Sequence, residues 1–300
     1  MFYLSLFKNP KFVLFITLLI VTPFVGFNLF KSNQKLLGAS TQASSLPSQS
    51  PVPPASPLSS VALRSESSGS KTLAKEETPS PTPTPAPKLS KAVYTIAVFG
   101  DSMVDTMGEN LEYLDTSLKI KYPNTTFKLY NYGIGGQNVA DGVARFKQAF
   151  SYQTRNYPSV KDIKADVIIL GSFAYNPFPT HDRNRHWTTL TQLVNEAKST
   201  GASIYILAEI GPKQTGFGQG PGGINWPKNL VTPHVEHIIE QLENAIALSK
   251  ELNVPLINAY EKSKIGTKYG NPLYVSSHDG IHPSREGHIL MANLITNISL

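Results

Sequence analysis

From residue 92 to the end of the chain, short apolar runs alternate with stretches of helical spacing. Tyr94–Phe99 (YTIAVF), Phe127–Tyr132 (FKLYNY), Asp166–Leu170 (DVIIL), Ser203–Ile210 (SIYILAEI) and Val254–Ala259 (VPLINA) read as strands. Near-continuous apolar runs such as the first and third suit strands buried on both faces. Helical spacing predicts helices over Glu109–Lys121, Val139–Phe150, Trp187–Ser199, His234–Leu252 and Ser284–Ile298. Strands alternating with helices predict βαβ units and a parallel five-stranded sheet covered on both faces. In open sheets of this kind ligands bind at the carboxyl ends of the strands, so the loops that follow the strands are where chemistry is sought.

The pattern differs before residue 91. Phe12 to Phe30 is a nineteen-residue run without a charge, bracketed by Lys8 and Lys11 and by Lys31 and Lys35. A helix needs about 20 mostly apolar residues to cross a bilayer, so the run is read as an uncleaved membrane anchor within residues 1–36. A cleaved signal peptide, cut near Gly38-Ala39-Ser40, is the second reading, and a buried soluble helix the third. Two lysines on each side leave the positive-inside rule without a vote on orientation. Residues 37–90 hold ten of the 23 prolines, with TPSPTPTPAPK at Thr78–Lys88. That composition buries too little apolar surface to offset ordering and predicts a disordered spacer, extended where it is proline-rich. The expected organisation is anchor, linker and one domain over 91–300.

Charge follows the same division. The formal net charge is +6, yet eight basic residues stand against only three acidic ones before residue 91, so +5 of it belongs to the tail. The nearly neutral domain gives no support for nucleic-acid binding through a basic face. The absence of cysteine excludes a disulfide framework, a thiolate metal site and a cysteine nucleophile. Oligomeric state is not legible.

Two short motifs carry candidate chemistry. The first strand runs into Gly100-Asp101-Ser102, where a serine on a turn presents its hydroxyl and its own amide to one reacting atom. His278-Asp279-Gly280-Ile281-His282-Pro283 precedes the last helix. There an aspartate three residues before a histidine can orient the imidazole and leave the other nitrogen for a serine. Each motif alone is equally a turn or a helix cap, with Asp279 or Ser284 as the capping residue.

Taken in order, Gly-Asp-Ser after the first strand, Asn131–Gly136 (NYGIGG) after the second, an asparagine after the third and Asp279–Pro283 (DGIHP) before the last helix resemble the blocks of the SGNH, or GDSL-like, hydrolases, including carbohydrate O-acetyl esterase-type members. The resemblance covers about the whole of 91–300. It implies a flavodoxin-like three-layer α/β/α sandwich and a serine esterase that needs no metal or organic cofactor. It makes Ser102 the nucleophile, His282 the general base and Asp279 the residue that orients it. The implied oxyanion hole comprises the N–H of Ser102, the N–H of Gly136 and the side-chain amide of Asn176, with Gly133 and Gly135 serving the tight turn. The third block departs from the family's Gly-x-Asn-Asp: Asn176 follows Gly171 by five residues rather than two, and no aspartate follows it. Either the loop bulges and Asn176 still reaches the oxyanion, or Ser172 or a backbone amide replaces it.

His278 and His282 are four residues apart, and His181 and His186 are read as lying in a polar loop. Without the glutamate of a helical zinc motif this spacing is weak evidence for metal, and none is expected. Gly211–Asn229, glycine-rich with Phe217 and Trp226, reads as a lid or an aromatic platform for sugar, or as surface disorder. The expected function is a membrane-tethered, outward-facing ester hydrolase that removes short acyl groups from cell-envelope or extracellular carbohydrate. A lipase or lysophospholipase, an O-acyltransferase on the same triad, and an inactive glycan-binding or scaffold domain are the alternatives. Export without the anchor follows if residues 1–40 are cleaved.

Overall fold

The computed structural model describes residues 87–300. The predicted anchor and all but the last residues of the predicted linker lie outside the described residues. Among the described residues no helix is long and apolar enough to cross a membrane.

Five strands form one parallel sheet: β1 (Val93–Gly100), β2 (Thr126–Gly133), β5 (Val167–Gly171), β6 (Ser203–Ala208) and β7 (Leu256–Asn258). Their order is β2-β1-β5-β6-β7, with β1 flanked by β2 and β5. This is the flavodoxin-like order, in which the chain reverses direction beside β1 and opens a crevice at the carboxyl ends there. β5 (VIILG) is buried at every position, as expected of a strand covered on both faces. Between β2 and β5 a small antiparallel hairpin, β3 (Phe150–Tyr152) with β4 (Arg155–Tyr157), interrupts the alternation. A second two-residue ribbon pairs β8 (Lys264–Ile265) with β9 (Tyr269–Gly270).

Helices fill both faces. α1 (Ser102–Asp105), α2 (Glu112–Lys121) and α7 (Arg285–Thr296) share one core with Ile96, Val98, Val167 and Ile169. α3 (Val139–Arg145) and α4 (Arg183–Lys198) share the other with Ala97, Phe99, Ile168 and Leu170. α5 (Lys228–Glu251) contributes Ile238 and Leu242 to the first and Ala245 and Leu248 to the second. The short α6 (Ala259–Ser263) follows β7. The capping chemistry is local and readable: Asn138 and Asp141 form a capping box on α3, and Ser284 Oγ accepts from Gly287 N at 3.1 Å on α7, each satisfying donors that the first turn leaves free.

Candidate active site

The sequence places its candidate residues on loops that follow the strands; the fold sets Asp279 against His282 and brings Asn176 to the Asp101 turn that leads into Ser102. Asp101 ends the β1 turn. Its Oδ1 accepts from Met103 N at 2.9 Å and caps α1, whose first residue is the half-buried Ser102. Gly100 is required beside it, because a Cβ would stand 2.4 Å from a Val104 methyl. Across the crevice, His282 Nδ1 is 2.9 Å from Asp279 Oδ2. Asp279 Oδ1 accepts the backbone N–H groups of Ile281 (2.7 Å) and His282 (3.0 Å). The aspartate therefore holds the loop and the ring together, and the cap of α7 is left to Ser284. Burial works to raise the Asp279 carboxyl, but the hydrogen bond and charge of His282 and the two backbone donors outweigh it and keep it below the usual carboxylate value. The charge of His282 also acts on both Asp101 and Asp105, which bracket Ser102.

The second block sits against the same turn. Asn131 is fully buried; its amide donates to the carbonyls of Val104 (3.0 Å) and Gly108 (2.7 Å), and its Oδ1 accepts from Gly133 N (2.8 Å). Gly133 is needed for closeness and not for its φ, since a Cβ would lie 2.1 Å from Asp105 N. The left-handed residue of the block is Gly136 at φ 74°, so the tight turn assigned to Gly133 and Gly135 falls instead on Gly136. A Cβ on Gly135 would lie 3.5 Å from Tyr152 Oη, 3.9 Å from Asp105 Oδ2 and 3.9 Å from Ser102 Cβ. A tyrosine hydroxyl, a carboxylate and the serine thus converge on one face of Gly135.

Sequence reasoning missed two arginines here. Arg155 of β4, almost fully buried, donates to the carbonyls of Asn131 (3.0 Å) and Gly133 (3.1 Å) and pairs with Asp105. Burial outweighs that pairing and leaves the Asp105 carboxyl raised. Arg145 of α3 donates to Gly100 O (2.7 Å) and Gln137 Oε1 (2.6 Å) and lies over the Phe99 ring. Burial lowers it to about 9, against the charges of Asp101 and Asp141. Each arginine joins segments far apart in sequence, so no local pattern announces it.

The irregular third block bulges. Phe173 takes a left-handed φ of 57° and is fully buried. The loop returns Asn176 so that its Nδ2 donates to Asp101 Oδ2 at 2.9 Å. An amide nitrogen carries two hydrogens, so one remains beyond this bond. Ser172 is no substitute for it: fully buried, its hydroxyl is bonded to Glu209. Burial, then the bonds from Met103 and Asn176 and the His282 charge, act on Asp101, and burial wins: its carboxyl is raised.

His186 lies buried on α4 and not in a polar loop; its Nε2 is 2.9 Å from Ser172 O, and burial lowers its pKa to about 4. His181 pairs with Glu240 at 2.7 Å and stacks on His237. Gly211–Asn229 neither forms an aromatic platform nor stands apart. Phe217 is buried against Tyr175, and the backbone of Gly218 and Gly222 donates to the carbonyls of Gly280 (3.3 Å) and His278 (2.9 Å). The loop braces the segment that carries Asp279 and His282; Trp226 alone of its aromatics is exposed.

The sequence profile of the GDSL-like lipase/acylhydrolase family matches residues 96–295 of the 300. No curated protein matches the chain. Among solved structures, a GDSL-like lipase from Bacteroides thetaiotaomicron is similar at 16% identity and a TM-score of 0.49, over 67% of this chain and 85% of that one. A lipase/acylhydrolase from Enterococcus faecalis is similar at 19% identity and a TM-score of 0.48, over 68% and 93%. An acetylxylan esterase from Geobacillus stearothermophilus is similar at 18% identity and a TM-score of 0.48, over 69% and 95%.

Proposed function

The chain belongs to the GDSL-like lipase/acylhydrolase family and is a serine ester hydrolase; on that premise we propose that Ser102 is the nucleophile, His282 the general base and Asp279 the group that orients it. The carrying observation is the 2.9 Å bond between His282 Nδ1 and Asp279 Oδ2, which fixes the tautomer and leaves Nε2 for the serine. His282 Nε2 takes the Ser102 Oγ proton as Oγ attacks the ester carbonyl carbon. The carbonyl electrons move to oxygen, and the N–H groups of Ser102 and Gly136 with the Asn176 amide receive that charge. The intermediate collapses, the alkoxide leaves with the proton held by His282, and the acyl group stays on Ser102. Water, deprotonated by the same imidazole, releases the acid and returns the proton to Ser102. Asp279 stabilises the imidazolium at each stage without taking the proton.

The substrate in this reading is a short acyl ester, acetyl first, on cell-envelope or extracellular carbohydrate, reached by a domain tethered through residues 12–30 and 37–90. Two features support it. The chain enters β1 at the end opposite Ser102, about 25 Å away at the rise of an eight-residue strand, so a tether on the entry side does not obstruct the crevice. The Tyr152 hydroxyl and the Asp105 carboxylate beside Ser102 suit a leaving group rich in hydroxyls better than a lipid chain.

Hydrolysis of 4-nitrophenyl acetate and octanoate by the full chain in detergent, beside its Ser102→Ala variant, tests the proposal. Turnover that vanishes in the variant and favours acetate is expected; preference for octanoate would overturn the short-acyl reading in favour of lipid esters.

A further inference from the structure

Glu209 is the first residue past β6 and is fully buried, with no arginine, lysine or histidine among its hydrogen-bond partners. A lone carboxylate in such a place is expensive unless it is protonated or well bonded. Both of its oxygens go to one residue: Oε1 accepts Ser172 N–H at 2.8 Å, and Oε2 is bonded to Ser172 Oγ. Gly171 has no Cβ to give, and one would stand 2.7 Å from Glu209 Oε1. The chain therefore leaves room for this carboxyl at the point where the third block departs from β5.

Ser172 is held from its other side as well. Its carbonyl faces His186 Nε2 at 2.9 Å, and its hydroxyl accepts Ala174 N–H at 3.2 Å. Phe173 then makes the left-handed turn, a conformation that persists only where surrounding contacts over-determine it. Tyr175 Oη donates to Ile210 O at 2.9 Å, the residue after Glu209, and Asn176 reaches Asp101. Ser172 and the 209–210 segment thus hold the start and the middle of the longer block, Asn176 N–H closes it on Phe173 O at 3.4 Å, and the block ends on the amide beside the nucleophile turn.

We propose that Glu209 is a positioning residue for ester hydrolysis: through Ser172 it sets the bulge that carries Asn176 to the Asp101–Ser102 turn, in place of the shorter glycine-to-asparagine spacing of the family. The inference rests on the reading of Ser102 and Asn176 given above. Burial, with the neighbouring Asp101 charge, raises the Glu209 carboxyl to about 8, so near neutrality it is a neutral group that both donates and accepts. Ionising it would add a second negative charge beside Asp101. The other titratable groups are Tyr175 of the third block, on which Glu209, Asp101 and Tyr260 all act, His234 of α5 on the Tyr175 backbone, His186 of α4 behind Ser172, and Arg145 of α3 and His282, whose charges act with that of Asp101.

The test is kcat, KM and the pH profile of the full chain on 4-nitrophenyl acetate for wild type, Glu209→Gln, Glu209→Ala, Ser172→Ala and Ser102→Ala, with thermal unfolding of each. Losing one oxyanion donor costs about 10²–10³ in kcat. Glu209→Ala is therefore expected to lose about ten- to a hundredfold in kcat with KM little changed. Glu209→Gln, which keeps both bonds without the charge, should restore most of it and lack the wild-type decline above about pH 8. If Glu209→Ala does not fold, Ser172→Ala and Glu209→Gln decide. A folded Glu209→Ala or Ser172→Ala with wild-type kcat, or a Gln variant with the wild-type alkaline decline, would overturn the proposal. A wild type whose turnover survives Ser102→Ala would instead overturn the site reading beneath it.

Discussion

At the residue scale, the site divides into groups announced by contiguous motifs and groups that are not. Asp279 and His282 are three residues apart and meet within one loop, so their spacing already states their geometry. Asp279→Asn is expected to lower kcat by about 10³–10⁴, since the amide would favour the wrong imidazole tautomer, with thermal stability little changed; steady-state kinetics beside a melting curve checks this. Asn176→Ala should cost about 10²–10³ in kcat at unchanged KM, and an unchanged turnover number would remove Asn176 from the oxyanion hole. Glu209, Arg155 and Arg145 were illegible because their partners lie 37, 50 and 45 residues away. No periodicity or short motif reports a bond that only the tertiary fold creates.

At the scale of elements, the apolar runs located all five strands of the main sheet, and the helix patterns located five helices, although the one expected over Val139–Phe150 stops at Arg145 and Phe150 opens β3. What failed was local. The hairpin β3–β4 went unseen because its strands are three residues each and include Arg155, a charge that is buried only because it pairs with Asp105. α5 begins at Lys228 instead of His234 and carries Pro233 inside it; at this sixth position the ring removes one intrahelical hydrogen bond, and the helix runs on through it. The third block's lengthening was plain in the sequence, but its outcome depended on what stood behind Ser172. The bracing of the Asp279–His282 loop by residues 216–222 yields a prediction at this scale. Gly280 has φ 68°, and a Cβ there would stand 2.3 Å from Gly216 O. Gly280→Ala should therefore destabilise the fold by about 1–3 kcal/mol and lower kcat through the displaced histidine. Denaturant unfolding and ester hydrolysis of the same preparation would check both; wild-type values for each would show that the loops do not touch as described.

For the whole molecule, buried groups of both kinds set the pH dependence of stability: carboxyls raised by burial, Glu209 with Asp101 and Asp105, and histidines lowered by burial to about 4, His186, His234 and His288. The ordinary Glu value is 4.5 and the folded value of Glu209 is raised to about 8. Between these the unfolded chain releases a proton that the folded chain keeps, so stability falls as pH rises through this window. Below it both states are protonated and the effect is absent. Asp279 acts in the opposite sense: its lowered carboxyl stabilises the fold above the ordinary aspartate value, and this is lost as pH falls through the folded value. Glu209→Gln is expected to remove the Glu209 share of the change in melting temperature between about pH 4.5 and 8, so that the variant gains most over wild type near pH 8; a difference between the two that does not grow with pH would contradict it. The entry of the chain on the far side of the sheet from Ser102 has its own consequence: deleting residues 1–86 should leave kcat/KM for a soluble ester unchanged. The central claim is a covalent acyl group on one serine. Its most direct measurement is mass spectrometry of the full chain quenched during turnover of 4-nitrophenyl acetate. An acetyl group on the peptide that carries Ser102, absent from Ser102→Ala, is the predicted result; turnover with no adduct at Ser102, or with acetyl on another residue in both proteins, would contradict it.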